Sequence, residues 1–196
     1  MINLTVFCSS KDNLDDNLHL EIQKFIQLLD INKFNIVYGG GTCGLMGTVR
    51  KTFIESGASF NKVKNLGKAS GKIISSNVTK FVEPDIEDDY VFDNINERQR
   101  KLIDLGDAYL ILPGGYGTHS EMLEVMTKND IGECSKPIFI FNCLDIFDNL
   151  INLFNNLKFN GLITRDFSKI KVTISSNPIE LADLINNYNF IANQPS

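Results

Sequence analysis

The sequence predicts an α/β fold: a Rossmann-like, doubly wound parallel sheet with helices on both faces. Three observations predict it. Short apolar runs alternate with longer stretches of helical periodicity along the whole chain, and single strands joined by helices imply parallel pairing with the helices packed on both faces. Two of the apolar runs end in glycine clusters that open helices, Gly39–Gly47 and Gly114–Gly117. No Pro-, Gly- or Ser-rich linker divides the 196 residues, a length suited to one domain with a substantial core. The expected organisation is one Rossmann-like domain over 1–188 and a loose C-terminal tail over 189–196.

The elements follow in order. Leu4–Cys8 reads as the first strand. Asn13–Ile31 reads as a helix with Leu14, Leu18, Ile22, Phe25, Ile26 and Leu29 at helical spacing. Asn35–Tyr38 is the second strand. It runs through the glycine cluster into a helix carrying Leu45, Val49, Phe53 and Ile54 and ending near Gly57. Ser59–Ser70 is polar and Lys-rich and reads as a loop with a solvated face. Gly71–Ser75 is a third strand, and Asp85–Gly106 reads as a helix. Ala108–Leu112, Pro137–Phe141 and Lys171–Ile174 are strands four to six. Helices over Thr118–Ile131, Leu144–Leu157 and Pro178–Tyr188 fill the gaps.

The run Pro113-Gly114-Gly115-Tyr116-Gly117-Thr118-His119-Ser120-Glu121 carries the most chemistry. Glycines at a strand-to-helix junction let the backbone turn sharply and approach a ligand. The helix that follows offers free N–H groups and its positive dipole end, which favour a phosphate. Glu121 stands about one turn in. The cluster Gly39-Gly40-Gly41-Thr42-Cys43-Gly44-Leu45-Met46-Gly47 repeats the device. Neither run is the dinucleotide Gly-x-Gly-x-x-Gly or a P-loop. Thr118 and Glu121 also have the spacing of a capping box, which needs no chemistry to explain it. Glu124 points to the polar side of its helix. Within Asp85–Gly106, residues at 100° intervals place Val91, Ile95, Leu102 and Leu105 on one face with Arg98 in its middle. A guanidinium there must find a carboxylate such as Glu121 or a ligand phosphate, because an unpaired buried charge costs several kcal/mol.

Composition narrows the function classes. A net charge of −5 and a pI of about 5.0 disfavour nucleic acid and anionic membranes as partners. No apolar run of about 18 residues predicts a membrane span, and Met1–Phe7 reads as a strand start, not a signal peptide. Cys8, Cys43, Cys134 and Cys143 show no paired spacing and read as free thiols of a cytoplasmic protein. With His19 and His119 they make no convincing metal site; both histidines read as surface residues.

At these motifs the chain resembles the Lonely Guy family, the cytokinin riboside 5′-monophosphate phosphoribohydrolases, whose members older descriptions call possible lysine decarboxylases. The family's Pro-Gly-Gly-x-Gly-Thr-x-x-Glu run stands here as Pro113–Glu121, and its Gly-Gly-Gly-x-x-Gly-Leu-Met-Gly run as Gly39–Gly47. The family arginine falls on Arg98, followed here by Gln99 where Lys is usual. Cys8 is followed directly by Ser9-Ser10, and Ser59–Pro84 departs from the family pattern. The resemblance implies hydrolysis of the N-glycosidic bond of a nucleoside 5′-monophosphate, AMP or a cytokinin-type modified AMP, to free base and ribose 5-phosphate. It implies Arg98 and Glu121 as catalytic residues. It implies Gly40, Gly41, Thr42, Gly44, Gly114, Gly115, Tyr116, Gly117, Thr118 and Thr127 as substrate- and phosphate-binding residues. It further implies no metal or organic cofactor, a small-molecule nucleotide as the binding partner and a homodimer. The competing reading is a nucleotide or molybdenum-cofactor carrier on the same fold, which needs the glycine cradle but not the acid. Pyridoxal phosphate chemistry would need a Schiff-base lysine in a recognisable context, and none is evident.

Overall fold

The computed structural model describes residues 1–57, 71–76, 90–92 and 94–190. Seven strands form one sheet: β1 (Ile2–Phe7), β2 (Phe34–Tyr38), β3 (Gly71–Ser76), β4 (Tyr90–Phe92), β5 (Ala108–Ile111), β6 (Ile138–Phe141) and β7 (Val172–Ser175). Their order is β4-β3-β2-β1-β5-β6-β7, and every pairing is parallel. The helices are α1 (Asp16–Gln27), α2 (Gly44–Glu55), α3 (Ile95–Leu105), α4 (Tyr116–Ile131), α5 (Asp148–Phe159) and α6 (Pro178–Asn186).

Successive strand residues point to opposite layers, as the two-residue repeat requires. Ile36, Tyr38, Leu110, Phe139 and Phe141 pack with Ile22 and Phe25 of α1, Val49 and Phe53 of α2, and Leu181 and Ile185 of α6. Val37, Tyr109, Ile111, Ile138 and Ile140 pack with Leu102 of α3, Met122 and Val125 of α4, and Ile151 and Phe154 of α5. Burial on both faces is why the central strands read as unbroken apolar runs. Each fully buried Leu, Ile or Phe here contributes roughly 1.5–3 kcal/mol.

Local signals set the helix ends. The Asp15 carboxylate accepts from the Asn17 N–H of α1, the Asn94 side chain from Asn96 of α3, and Asn177 from Ile179 and Glu180 of α6, which opens on Pro178. Gly132, at φ 82°, closes α4.

The structure corrects several boundaries. The helix expected over Asp85–Gly106 begins only at Ile95, because Asn94 caps it and Tyr90–Phe92 is strand β4, paired with β3. Val91 therefore lies on the outermost strand, and Ile95 is 45% exposed. The inward face of α3 is built by Arg98, Leu102 and Ile103. The helix expected from Leu144 begins at Asp148. Leu144 and Asp145 adopt left-handed backbone in a 3₁₀ turn, while the Asn142 side chain accepts from the Phe147 N–H and donates to Asp148. Phe190, expected in the loose tail, packs on Phe34 and Tyr188. The loop expected over Ser59–Ser70, the start of the helix expected at Asp85, and residues 191–196 lie outside the described residues.

Candidate active site

Chain order turns around at β1. The chain walks from β1 through β2 and β3 to β4 at one edge, then returns to place β5 on the other side of β1. In open α/β sheets the crevice for ligands lies at the carboxyl ends of strands at such a switch point. A cleft of about 300 Å³ sits there, at the lower end of the size range of small-molecule sites. Three loops line it: Cys8–Lys11 after β1, Gly39 and Gly41 after β2, and Gly115–Thr118 after β5. Met46, Arg98 and Glu121 complete the lining.

Backbone hydrogen bonds join the three loops. The Ser9 N–H donates to the Pro113 carbonyl, 3.1 Å, and the Met46 N–H donates to the Ser9 carbonyl, 3.1 Å. The two glycine turns therefore lie at the same edge of the sheet, with the turn after β1 between them.

Arg98 and Glu121 are buried, and Arg98 Nη1 lies 3.9 Å from Glu121 Oε1. The other guanidinium nitrogen, Nη2, donates to the Gly39 carbonyl at 3.1 Å. A Cβ on Gly39 would run into that nitrogen. The first glycine of the upstream cluster is thus the seat of the arginine. Burial pushes the Glu121 carboxyl up to about 7. The Arg98 guanidinium opposes that shift, and Glu124 adds to it. Burial likewise pulls the Arg98 guanidinium below its ordinary value, against the attraction of Glu121. A carboxyl poised near neutrality can both take and give a proton. Cys8 also faces the cleft. Burial first, then Glu121, pushes its thiol far above the ordinary range, so it is no thiolate nucleophile at neutral pH.

Glu121 does not close a capping box. Helix α4 starts at Tyr116 with Gly115 in the capping position and no side-chain cap. Thr118 is therefore the third residue of the helix, buried beneath Gly114, where a Cβ would strike its hydroxyl. Its side chain is committed to packing, and Glu121 is free of any capping duty. The uncapped first turn leaves N–H groups facing the cleft. Nothing lies within 4 Å of where a Cβ would stand on Gly115 or Gly117, so the bare backbone is open to a ligand.

Of the residues singled out in the sequence, Arg98, Glu121, Gly41, Gly115, Tyr116, Gly117 and Thr118 line this cleft. Gly40 is buried behind it at φ 77°, and Gly114 is occupied by Thr118. Thr42 and Gly44 line a neighbouring hollow with Thr48 and Arg50. Thr127, about three turns along α4, lines a separate hollow of about 190 Å³ with Leu123, Met126 and Phe154. Glu124 is half-buried and accepts from Gln99 Nε2 at 2.7 Å. His119 Nδ1 lies 2.9 Å from the Gly115 carbonyl, and His19 Nδ1 lies 2.6 Å from Thr48 Oγ1. Ser9, Ser10 and Lys11 belong to the cleft without having been singled out, and so do Gly39 and Met46 of the upstream glycine cluster, which had not been named as binding residues. The available signal was position: Ser9–Lys11 directly follows the first strand, and a central first strand delivers the next residues to the crevice. Among the described residues no group of three or more His, Cys, Asp or Glu could hold a metal ion, and no helix is long and apolar enough to cross a membrane.

Comparison with known proteins agrees with this architecture. A family model described as possible lysine decarboxylase matches residues 46–185. A cytokinin riboside 5′-monophosphate phosphoribohydrolase of Arabidopsis thaliana is 26% identical over 94% of this chain and 83% of its own. One from Rhodococcoides fascians is 27% identical over 83% of this chain and 78% of its own. Among solved structures, the molybdenum cofactor binding protein of Rippkaea orientalis superposes with a TM-score of 0.60 at 17% identity, covering 94% of each chain. The molybdenum cofactor carrier protein of Chlamydomonas reinhardtii gives 0.58 at 13% identity over 97% of this chain and 98% of that one. At such identities these structures establish the fold alone. The family model spans more than two thirds of the sequence, and the chain belongs to the family it describes, the possible lysine decarboxylases now known as the Lonely Guy family.

Proposed function

We propose that the protein hydrolyses the N-glycosidic bond of a nucleoside 5′-monophosphate, AMP or a cytokinin-type N6-modified AMP, to free base and ribose 5-phosphate. The observation that carries this reading is the buried Arg98–Glu121 pair, 3.9 Å apart, in a cleft rimmed by the uncapped start of α4. The activity in the names of the relatives supports it.

The chemistry follows from the groups present. The bond from C1′ to the base nitrogen breaks, its electron pair leaves with the base, and positive charge develops on the sugar. An ionised Glu121 stabilises that charge and takes the proton from the water that adds to C1′. Arg98, held by the Gly39 carbonyl, orients the carboxylate and offsets the negative charge gathering on the departing base. N–H groups of Gly115, Gly117 and Thr118 hold the phosphate at the positive end of α4.

The same reading makes the protein a homodimer that needs no cofactor, and its four free cysteines suit a reducing cytoplasm. The test is release of adenine from AMP, with adenosine as the comparison substrate. AMP bound without base release would instead mark a carrier.

A further inference from the structure

Three residues that carry charge line the cleft: Lys11, Arg98 and Glu121. Arg98 and Glu121 face each other. Among the described residues no carboxylate pairs with the Lys11 ammonium. The cleft therefore holds one positive charge more than its internal pair balances, an excess that suits an anion.

The Lys11 backbone is held in place from three sides. Its N–H donates to Ser9 Oγ at 3.1 Å, forming a tight turn. Ser9 is itself bonded to Pro113 on one side and Met46 on the other. Gly44, the first residue of α2, has φ +57°, and a Cβ there would drive into the Lys11 carbonyl and come within 2.9 Å of the Lys11 nitrogen. Gly44 is thus the surface on which the Ser10–Lys11 backbone rests. The Lys11 side chain is exposed, so a long flexible stem stands on a fixed base beside the open backbone of Gly115 and Gly117.

We infer that Lys11 is the side chain that recognises the phosphate of the nucleotide and separates monophosphates from unphosphorylated nucleosides. The inference rests on the phosphoribohydrolase reading. A phosphate placed in the cleft meets the N–H groups of α4 on one side and a mobile point charge on the other, the usual manner in which lysine binds phosphate. The ammonium adds affinity at the end of the substrate remote from the bond that breaks, so its loss falls on binding rather than on the chemical step.

The experiment compares wild type, Lys11→Ala and Lys11→Arg. It measures adenine release from AMP and adenosine, and calorimetric binding of ribose 5-phosphate against ribose. Losing a hydrogen bond to a charged group weakens binding by about tenfold to a hundredfold. Lys11→Ala is expected to raise the KM for AMP and the Kd for ribose 5-phosphate by that factor. The loss appears in KM and not in kcat, and Lys11→Arg recovers most of it. Ribose binding should be equal in all three proteins. A Lys11→Ala protein with wild-type KM and wild-type Kd for ribose 5-phosphate overturns the inference. If the wild type releases no adenine, the phosphoribohydrolase reading falls by itself. The calorimetry then still decides Lys11: ribose 5-phosphate bound no more tightly by the wild type than by Lys11→Ala overturns it.

Discussion

Replacing Glu121 with Gln keeps the volume of the side chain and removes its charge and its proton chemistry. The structure makes this a clean perturbation. The carboxylate stands 3.9 Å from the guanidinium, beyond a short hydrogen bond, and Arg98 keeps its contact with the Gly39 carbonyl. No cap is lost, because Gly115 occupies the capping position of α4. Fold and AMP binding should therefore survive, with Kd for AMP within a few-fold of wild type by calorimetry. Turnover should not. A positioned acid–base group contributes about 10²–10⁴ in rate, so base release should fall at least about a hundredfold, or roughly 2.7 kcal/mol of transition-state stabilisation. Chromatographic measurement of adenine from saturating AMP reads this directly. A Glu121→Gln protein that is folded, binds AMP and turns over within a few-fold of wild type would refute the reasoning.

Other consequences follow from the same geometry. Because Glu121 acts in its ionised form and its carboxyl is raised to about 7, kcat should rise with pH through about 7 and then level off, a limb that a pH–rate profile would show. Stability should run the other way. A carboxyl raised from 4.5 to about 7 in the folded state favours folding fully below the unfolded value and loses that contribution as pH climbs through the folded one. The loss amounts to about 3 kcal/mol by pH 8, and denaturant titrations should show it in wild type and not in Glu121→Gln. Gly39→Ala puts a methyl group where the Arg98 guanidinium sits; overpacking should cost about 1–3 kcal/mol in urea, and activity should fall at least about tenfold as the arginine is displaced. Light scattering at micromolar concentration should give twice the mass of one 22.0 kDa chain, and a monomer would count against the dimer.

Much of the fold was legible because parallel strands buried on both faces leave unbroken apolar runs, and glycine clusters mark where such strands feed helices. Strands β1, β2, β3, β5, β6 and β7 and five of the six helices were placed within a few residues, whereas α3 starts ten residues later than expected. Strand β4 was missed because Tyr90-Val91-Phe92 is too short to show alternation and sits just before an apolar helical stripe. Val91 then fitted the stripe by coincidence, although Asn94 was there as a stop signal. Arg98 emerged from the same stripe through its correct half, the turn shared with Leu102. The capping box failed for a physical reason. Its spacing is common to any Thr-x-x-Glu, and only coordinates reveal that the helix had already begun at Tyr116. The roles of Gly39, Gly44 and Lys11 were invisible in sequence. Each depends on a contact between loops far apart in the chain, brought together by the position of β1 between β2 and β5.

The most direct test of the central claim is a single time course of purified protein with AMP, followed for free adenine and for ribose 5-phosphate together. The account predicts that both products appear in equal amounts, and that adenosine under the same conditions gives far less base. Stoichiometric binding of AMP with no release of either product would contradict it.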